Sequence, residues 1–215
     1  SHKQFFKLSY QEAKREIIET KVLLEDLTGK AINGHRAPAF SILPSTSWVL
    51  EILADLGIKY DSSIVPAATS RYGWNNFPRE IIEIDLKNHR SIIEAPIAVT
   101  NILWRSVPVC GGGYLRLFPY WYTKFSMKKI LRIRPSMVYL HPYEIDTMRY
   151  PEYYFEAMKS ASFNKQFRVR SFWVNRKTVY PKLENLLKSF SFKPLIDIIQ
   201  DRTAQCGLNS ISINK

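Results

Sequence analysis

The chain is poor in cysteine: Cys110 and Cys206 are the two among 215 residues, and neither belongs to a C-x-x-C pair. That spacing excludes a disulfide framework and a zinc knuckle, and both residues are expected as buried free thiols. No apolar run approaches the ~20 residues of a membrane span. The opening SHKQFFKLSY lacks the basic-then-apolar order of a signal peptide. No repeat of fixed period and no low-complexity linker is present, which excludes a solenoid and an array of small modules. Acidic residues are also scarce, Asp+Glu 19 against Lys+Arg 31, leaving a formal charge of +12. Such a surplus favours nucleic acid, anionic lipid headgroups or an acidic polymer by long-range attraction, without choosing among them.

What is there is an ordinary globular composition, 46% hydrophobic and 23% charged, in a chain long enough to bury one sizeable core. One domain over residues 1–200 with a C-terminal tail at 201–215 is the expected organisation. Ser9-Tyr10-Gln11-Glu12 is a capping-box pattern that opens a helix, with Ala13, Ile17, Leu24 and Leu27 as its buried stripe and Gly29 as its left-handed stop. A second helix is predicted from about Ser45 to Leu56, ended by Gly57, and Ile58 to Tyr60 reads as a strand. Ile81–Ile84 and Ser91–Ala95 read as a hairpin, Pro119–Ile133 as a basic helix, Met137–Leu140 as a strand ending at His141, and Lys182–Phe190 as a helix. Strands alternating with helices predict an α/β fold with a largely parallel sheet, whose active site gathers where strands end.

Three such ends carry chemistry: Gly34-His35-Arg36-Ala37-Pro38-Ala39-Phe40, Tyr60-Asp61-Ser62-Ser63, and Leu140-His141-Pro142-Tyr143-Glu144-Ile145-Asp146. His35 and His89 have no partner identifiable from sequence. Gly111-Gly112-Gly113 lacks the Lys-Ser/Thr of a phosphate-binding P-loop, and no helix is expected to open directly from it. Lys124, Lys128, Lys129, Arg132 and Arg134 lie on the basic helix, either as a solvated face or as a patch for an anionic glycan or a membrane surface.

In this order and with these intervals, the segments Gly34–Ile42, Tyr60–Ser63, Gly111–Tyr120 and His141–Asp146 resemble the NodB-like polysaccharide deacetylases of carbohydrate esterase family 4, and within it the exopolysaccharide-locus subfamily. The resemblance spans residues 1 to about 195. It implies a distorted (β/α)7 barrel, incomplete here because the first strand and part of the metal site are absent. It also implies a divalent metal, usually zinc, held by an Asp and two His, with Ser1-His2 matching the end of the histidine segment, so that His2 is the second metal histidine. His141 is then the general acid, Arg36 the residue that holds the catalytic base, and Asp61 the carboxylate paired with the acid histidine. Ser62 stands where the family often has Trp. Pro38, Phe40, Gly112, Gly113, Tyr114, Tyr139, Leu140 and Tyr143 are the expected substrate contacts, with Tyr120 and Trp121 available for stacking on a sugar. Tyr139 occupies a position that is commonly Leu.

The function so implied is metal-dependent hydrolysis of N-acetyl groups on N-acetylhexosamine units of a bacterial polysaccharide. The expected partner is an N-acetylated glycan, with no nucleic acid; the compartment is not set by the sequence, the cytoplasm and the cell envelope of a bacterium being the alternatives. Residues 1–215 are expected to be inactive by themselves, since the base and two metal ligands should lie upstream. The alternative is a non-catalytic carbohydrate-binding barrel that has lost its metal site. A third, an electrostatic nucleic-acid or membrane binder, rests on the charge alone. The neighbouring coding sequence checks the first reading: an Asp-bearing strand and an H-G-Y-S segment are expected before Ser1.

Overall fold

The computed structural model describes residues 2–69, 72–148, 152–160, 162–163, 166, 170 and 172–213. The chain forms two compact units, Ser1–Pro108 with Lys193–Lys215, and Val109–Phe192. No described helix is long and apolar enough to cross a membrane.

In the first unit the capping box forms as the sequence predicts. Ser9 Oγ accepts from Glu12 N, Glu12 returns its carboxylate to Ser9 N, and helix α1 (Tyr10–Thr28) ends at Gly29 with φ 63. The expected stripe is half right. Ala13 and Ile17 are buried, whereas Leu24 and Leu27 are 40% and 74% exposed, because no described element covers the C-terminal half of the helix. Helix α2 (Trp48–Asp55) follows a 3-10 turn over Pro44–Thr46 and buries Val49, Leu50, Ile52 and Leu53. Ser41 and Thr46 anchor the approach, Ser41 Oγ accepting from Phe5 N and Thr46 Oγ1 donating to Ser41 O.

These helices pack on a five-stranded sheet of order β1-β2-β4-β3-β7, where β1 is Gly34–His35, β2 Tyr60–Asp61, β3 Ile82–Asp85, β4 Ser91–Glu94 and β7 Ser210–Ser212. The pairs β1–β2, β2–β4 and β3–β7 are parallel, and β3–β4 is the predicted antiparallel hairpin. The fold is thus mixed α/β with a parallel-rich sheet, and among the described residues this sheet is open at both edges. Gly34 is required by close approach: a Cβ there would stand 2.2 Å from the Tyr60 ring. The segment set apart as a tail is structured. Residues 201–206 complete a helix (Leu195–Cys206), and β7 joins the sheet beside β3. A second hairpin, β5 (Val99–Ile102) and β6 (Arg105–Pro108), was not foreseen, since its turn uses Leu103 at φ 53 in place of Asn or Gly.

The second unit has its own core of Val109, Cys110, Leu115, Met127, Val179 and Leu186. Helix α3 (Gly112–Leu117) does open from the glycine triplet, contrary to expectation, and α4 (Tyr120–Leu131) and α5 (Pro142–Ile145) follow. The predicted strand Met137–Leu140 reduces to one parallel bridge, Gly111 to Tyr139, because nothing described extends that ladder. Of the two thiols, Cys110 is buried with its pKa pushed up to about 12 by burial, but Cys206 is exposed.

Because Leu53 is fully buried and Leu27 is not, Leu53→Ala is expected to lower unfolding free energy by ~2–5 kcal/mol and Leu27→Ala by less than ~0.5 kcal/mol. Urea denaturation of both variants checks this, and equal losses would refute the assignment of the core.

Candidate active site

In the first unit, parallel pairing brings His35 and Asp61 side by side at the ends of β1 and β2. His35 Nδ1 lies 2.7 Å from Asp61 Oδ1, and the carboxylate is wholly buried. Ser63 completes its shell, donating from N to Oδ2 and from Oγ to Oδ1, and in turn accepts from Ala37 N. Asp61 thus fixes the turn that carries Arg36 and Pro38. Arg36 lays its guanidinium along the neighbouring strand end, Nε donating to Ser62 O and Nη2 to Ser62 Oγ, while Ser62 Oγ donates to Ala95 O. Ser62, at the position that is often Trp in the resembled family, is therefore a polar tie between two strand ends. Ala39 and Phe40 both hold left-handed backbone, φ 52 and 54, a strained turn of the kind that tight packing must enforce.

Behind this pair stands Glu94, the last residue of β4, which sequence reading missed. Its side chain is fully buried, and Oε1 accepts from Ile64 N at 3.0 Å. Burial foremost, then the negative charge of Asp61 and a hydrogen bond to it, raise the Glu94 pKa well above its ordinary value. Two adjacent buried carboxyl groups cannot both carry charge cheaply, and the proton stays on Glu94. Glu94 Oε2 has no N–H or O–H donor, which suits a protonated oxygen that donates rather than accepts. A cavity of about 260 Å³ opens beside the pair, lined among others by Phe5, Thr20, Lys21, His35, Arg36 and Pro38.

In the second unit, His141 precedes α5 and its side chain is 49% exposed. Glu144, one turn on and fully buried, accepts from His141 N at 3.0 Å, and its Oε2 lies 3.1 Å from His141 Nδ1. The other carboxylate oxygen is 3.3 Å from buried Arg116 Nε, a close ion pair that is not aligned as a hydrogen bond. Arg116 is itself held by the carbonyls of Phe172 and Val174. Tyr143 stacks on the imidazole at 5.2 Å between centroids, and Tyr139 meets it edge-on. The Tyr139 ring also explains the glycines, since a Cβ on Gly111 would stand 2.3 Å from it and Gly112 has φ +51. Within the first unit Asp61 meets His35, and within the second Glu144 meets His141.

The remaining predicted contacts have mixed surroundings. Leu140 and Tyr120 pack on the second core, and Tyr120 Oη is tied to Asn185 O and Ser189 Oγ. Tyr114 packs against Phe118, Gly113 lies beside Arg116, and Trp121 is exposed. His2 is exposed, and Ser1 lies outside the described residues. Among the described residues no three His, Cys, Asp or Glu side chains gather as a metal-ligand set. His2 by itself does not fit a catalytic zinc, which takes three protein ligands.

The family model described as "Domain of unknown function (DUF3473)" matches residues 62–200. The chain belongs to this family. The match takes in Ser62, Ser63, Glu94, the glycine triplet and the His141–Glu144 pair, and begins one residue after Asp61. No curated protein matches this DUF3473 chain. Among solved structures, it is similar to the "putative polysaccharide deacetylase from Mycobacterium smegmatis", at 15% identity and a TM-score of 0.46, over 66% of this chain and 47% of that one. The chain thus spans about half the length of that protein.

The proton on Glu94 has a measurable consequence. The folded chain keeps it to higher pH than the unfolded chain, whose Glu94 titrates near 4.5. Stability contributed by this site is therefore greatest below that pH and is lost as pH rises toward the raised folded value. Between pH 5 and pH 8 the urea midpoint of the natural sequence is expected to fall more than that of Glu94→Gln, which keeps a neutral donor. Parallel pH profiles would show that Glu94 is ionised in the fold.

Proposed function

We propose that this DUF3473 chain is part of a hydrolase that removes N-acetyl groups from N-acetylhexosamine units of a bacterial polysaccharide, with His141 as the general acid. The observation that carries the reading is the setting of His141: a half-exposed imidazole whose Nδ1 is held by a buried carboxylate that a buried arginine backs. The sequence resemblance supports it, and so does the matching domain, which is found in the NodB-like deacetylase family. A (β/α)7 barrel and the exopolysaccharide subfamily belong to the same proposal.

The chemistry explains why such a histidine is needed. Hydrolysis of an amide must expel an amine, which leaves badly as an anion and well once protonated. Glu144 stabilises the imidazolium and fixes its Nδ1 side, so that Nε2 delivers the proton toward the departing sugar nitrogen. Tyr139 and Tyr143 flank that nitrogen's approach, and Gly112 and Gly113 are the proposed backbone contacts of the sugar. In the first unit Arg36 and the buried Asp61 order the strand end that the family uses to steady the base. Pro38 and Phe40 form the turn beside it. A divalent metal, zinc by resemblance, would supply an activated water and polarise the acetyl carbonyl. His2 is the proposed ligand from this chain, and no step is derived through the metal.

Acetate release from an N-acetylhexosamine oligomer by the natural full-length protein tests the proposal. His141→Ala is expected to lower kcat about 10²- to 10⁴-fold, with bound metal unchanged. Glu144→Gln removes one charge-assisted hydrogen bond of ~1.5–3 kcal/mol, which corresponds to a fall of about 10- to 150-fold in kcat with KM little changed. A His141→Ala protein that turns over like the natural one overturns the proposal, as would loss of metal in step with activity.

A further inference from the structure

We propose that the outer face of α4 docks the protein on an anionic lipid bilayer. This surface lies in the second unit and is independent of the chemistry assigned to His141. The helix buries Thr123, Ser126, Met127 and Ile130 against its core. Half a turn away on a 3.6-residue period lie Trp121, Phe125, Lys128 and Arg132. Trp121 is 69% exposed and Phe125 63%, although a solvated helix face has no use for two large aromatics one turn apart. Leu117, just before the helix, and Leu131 and Ile133, at its end, are 57%, 43% and 70% exposed, so exposed aliphatic groups stand at both ends of the element.

The charge around this stripe has one sign. Between Glu94 and Glu144 there is no Asp or Glu, whereas α4 and its C-terminal turn carry Lys124, Lys128, Lys129 and Arg132. Lys128, Lys129 and Arg132 are exposed, and Lys124 is half-buried with Nζ over the Tyr120 ring. Aromatic and aliphatic side chains between cations are what an element lying in the headgroup plane presents: rings and alkyl groups enter the acyl boundary while ammonium and guanidinium groups stay among phosphates. A nucleic acid or acidic glycan would match the cations and could stack on Trp121, but it gives nothing to Leu117, Leu131 and Ile133. The aliphatic members therefore favour the bilayer.

The test is partition of the chain between buffer and vesicles by flotation, with phosphatidylcholine alone against a mixture containing 30% phosphatidylglycerol. The natural sequence is expected to favour the anionic vesicles about tenfold or more, with a blue shift of tryptophan emission that is absent from Trp121→Phe. Trp121→Ser with Phe125→Ser, both at exposed positions, should lower that partition about tenfold, and Lys128→Glu with Lys129→Glu should do likewise. Lys7→Glu with Arg15→Glu, an equal charge reversal at exposed positions just before and on α1, should leave it within about twofold. Equal partition to both vesicles overturns the proposal, and so does a Trp121/Phe125 variant that binds like the natural chain. A control pair that loses as much as Lys128/Lys129 reduces the effect to net charge and overturns it too. Heparin or DNA binding that drops in the aromatic variant, with vesicle binding untouched, would assign the face to a polyanion instead.

Discussion

Two carboxyl groups, Asp61 and Glu94, are buried together at neighbouring strand ends, and the space they share accommodates one negative charge. The first unit is arranged around that limit. Asp61 collects the donors: the His35 imidazole and both the backbone and hydroxyl of Ser63. Glu94 keeps the proton and accepts from Ile64 N. The turn from His35 to Pro38 is pinned through Ser63 to Ala37 N, so its geometry follows from the hydrogen bonds that Asp61 gathers. An arrangement of this kind holds only if both groups stay dry, and the surrounding strands and helices ensure it.

The second unit solves the opposite problem, how to keep an imidazole wet on one side while its other nitrogen is fixed. Glu144 is reachable from His141 because the chain turns into a short helix at that point, which brings a residue three positions on back over the histidine N–H. Arg116 reaches the carboxylate from α3, and Lys182 Nζ donates to the carbonyls of Leu115, Arg116 and Phe118 at the end of that helix. Glycine at 111 and 112 lets the Tyr139 ring lie flat against the backbone beside it. Each of these parts serves orientation rather than bulk burial.

Local signals were legible and non-local ones were not. The capping box at Ser9, the stop at Gly29 and the β3–β4 hairpin depend on neighbours in sequence and form as read. Whether Leu24 and Leu27 are covered depends on a tertiary partner, and periodicity cannot supply one. The β5–β6 turn escaped because Leu103 adopts a conformation that sequence rules reserve for Asn or Gly. Of the site, the residues His35, Arg36, Asp61 and His141 were visible as strand-end residues, but their pairing was not. Glu94 looked like an ordinary member of an alternating strand. Glu144 did carry a signal, a carboxylate three residues after the residue that opens a helix, the spacing of a capping box with His in place of Ser or Thr.

The position of β7 bears on the order in which the molecule can be made. β3 is complete early in synthesis, yet one of its two edges is covered only by residues 210–212, which are made long after it. Until then the nascent first unit presents backbone donors and acceptors to any extended segment it meets, the condition under which strands pair with the wrong chain. The second unit, contiguous over Val109–Phe192, has all its residues available sooner and needs no such wait. Pairing of β3 with β7 is therefore a long-range event, of the kind that is slow beside the formation of helices.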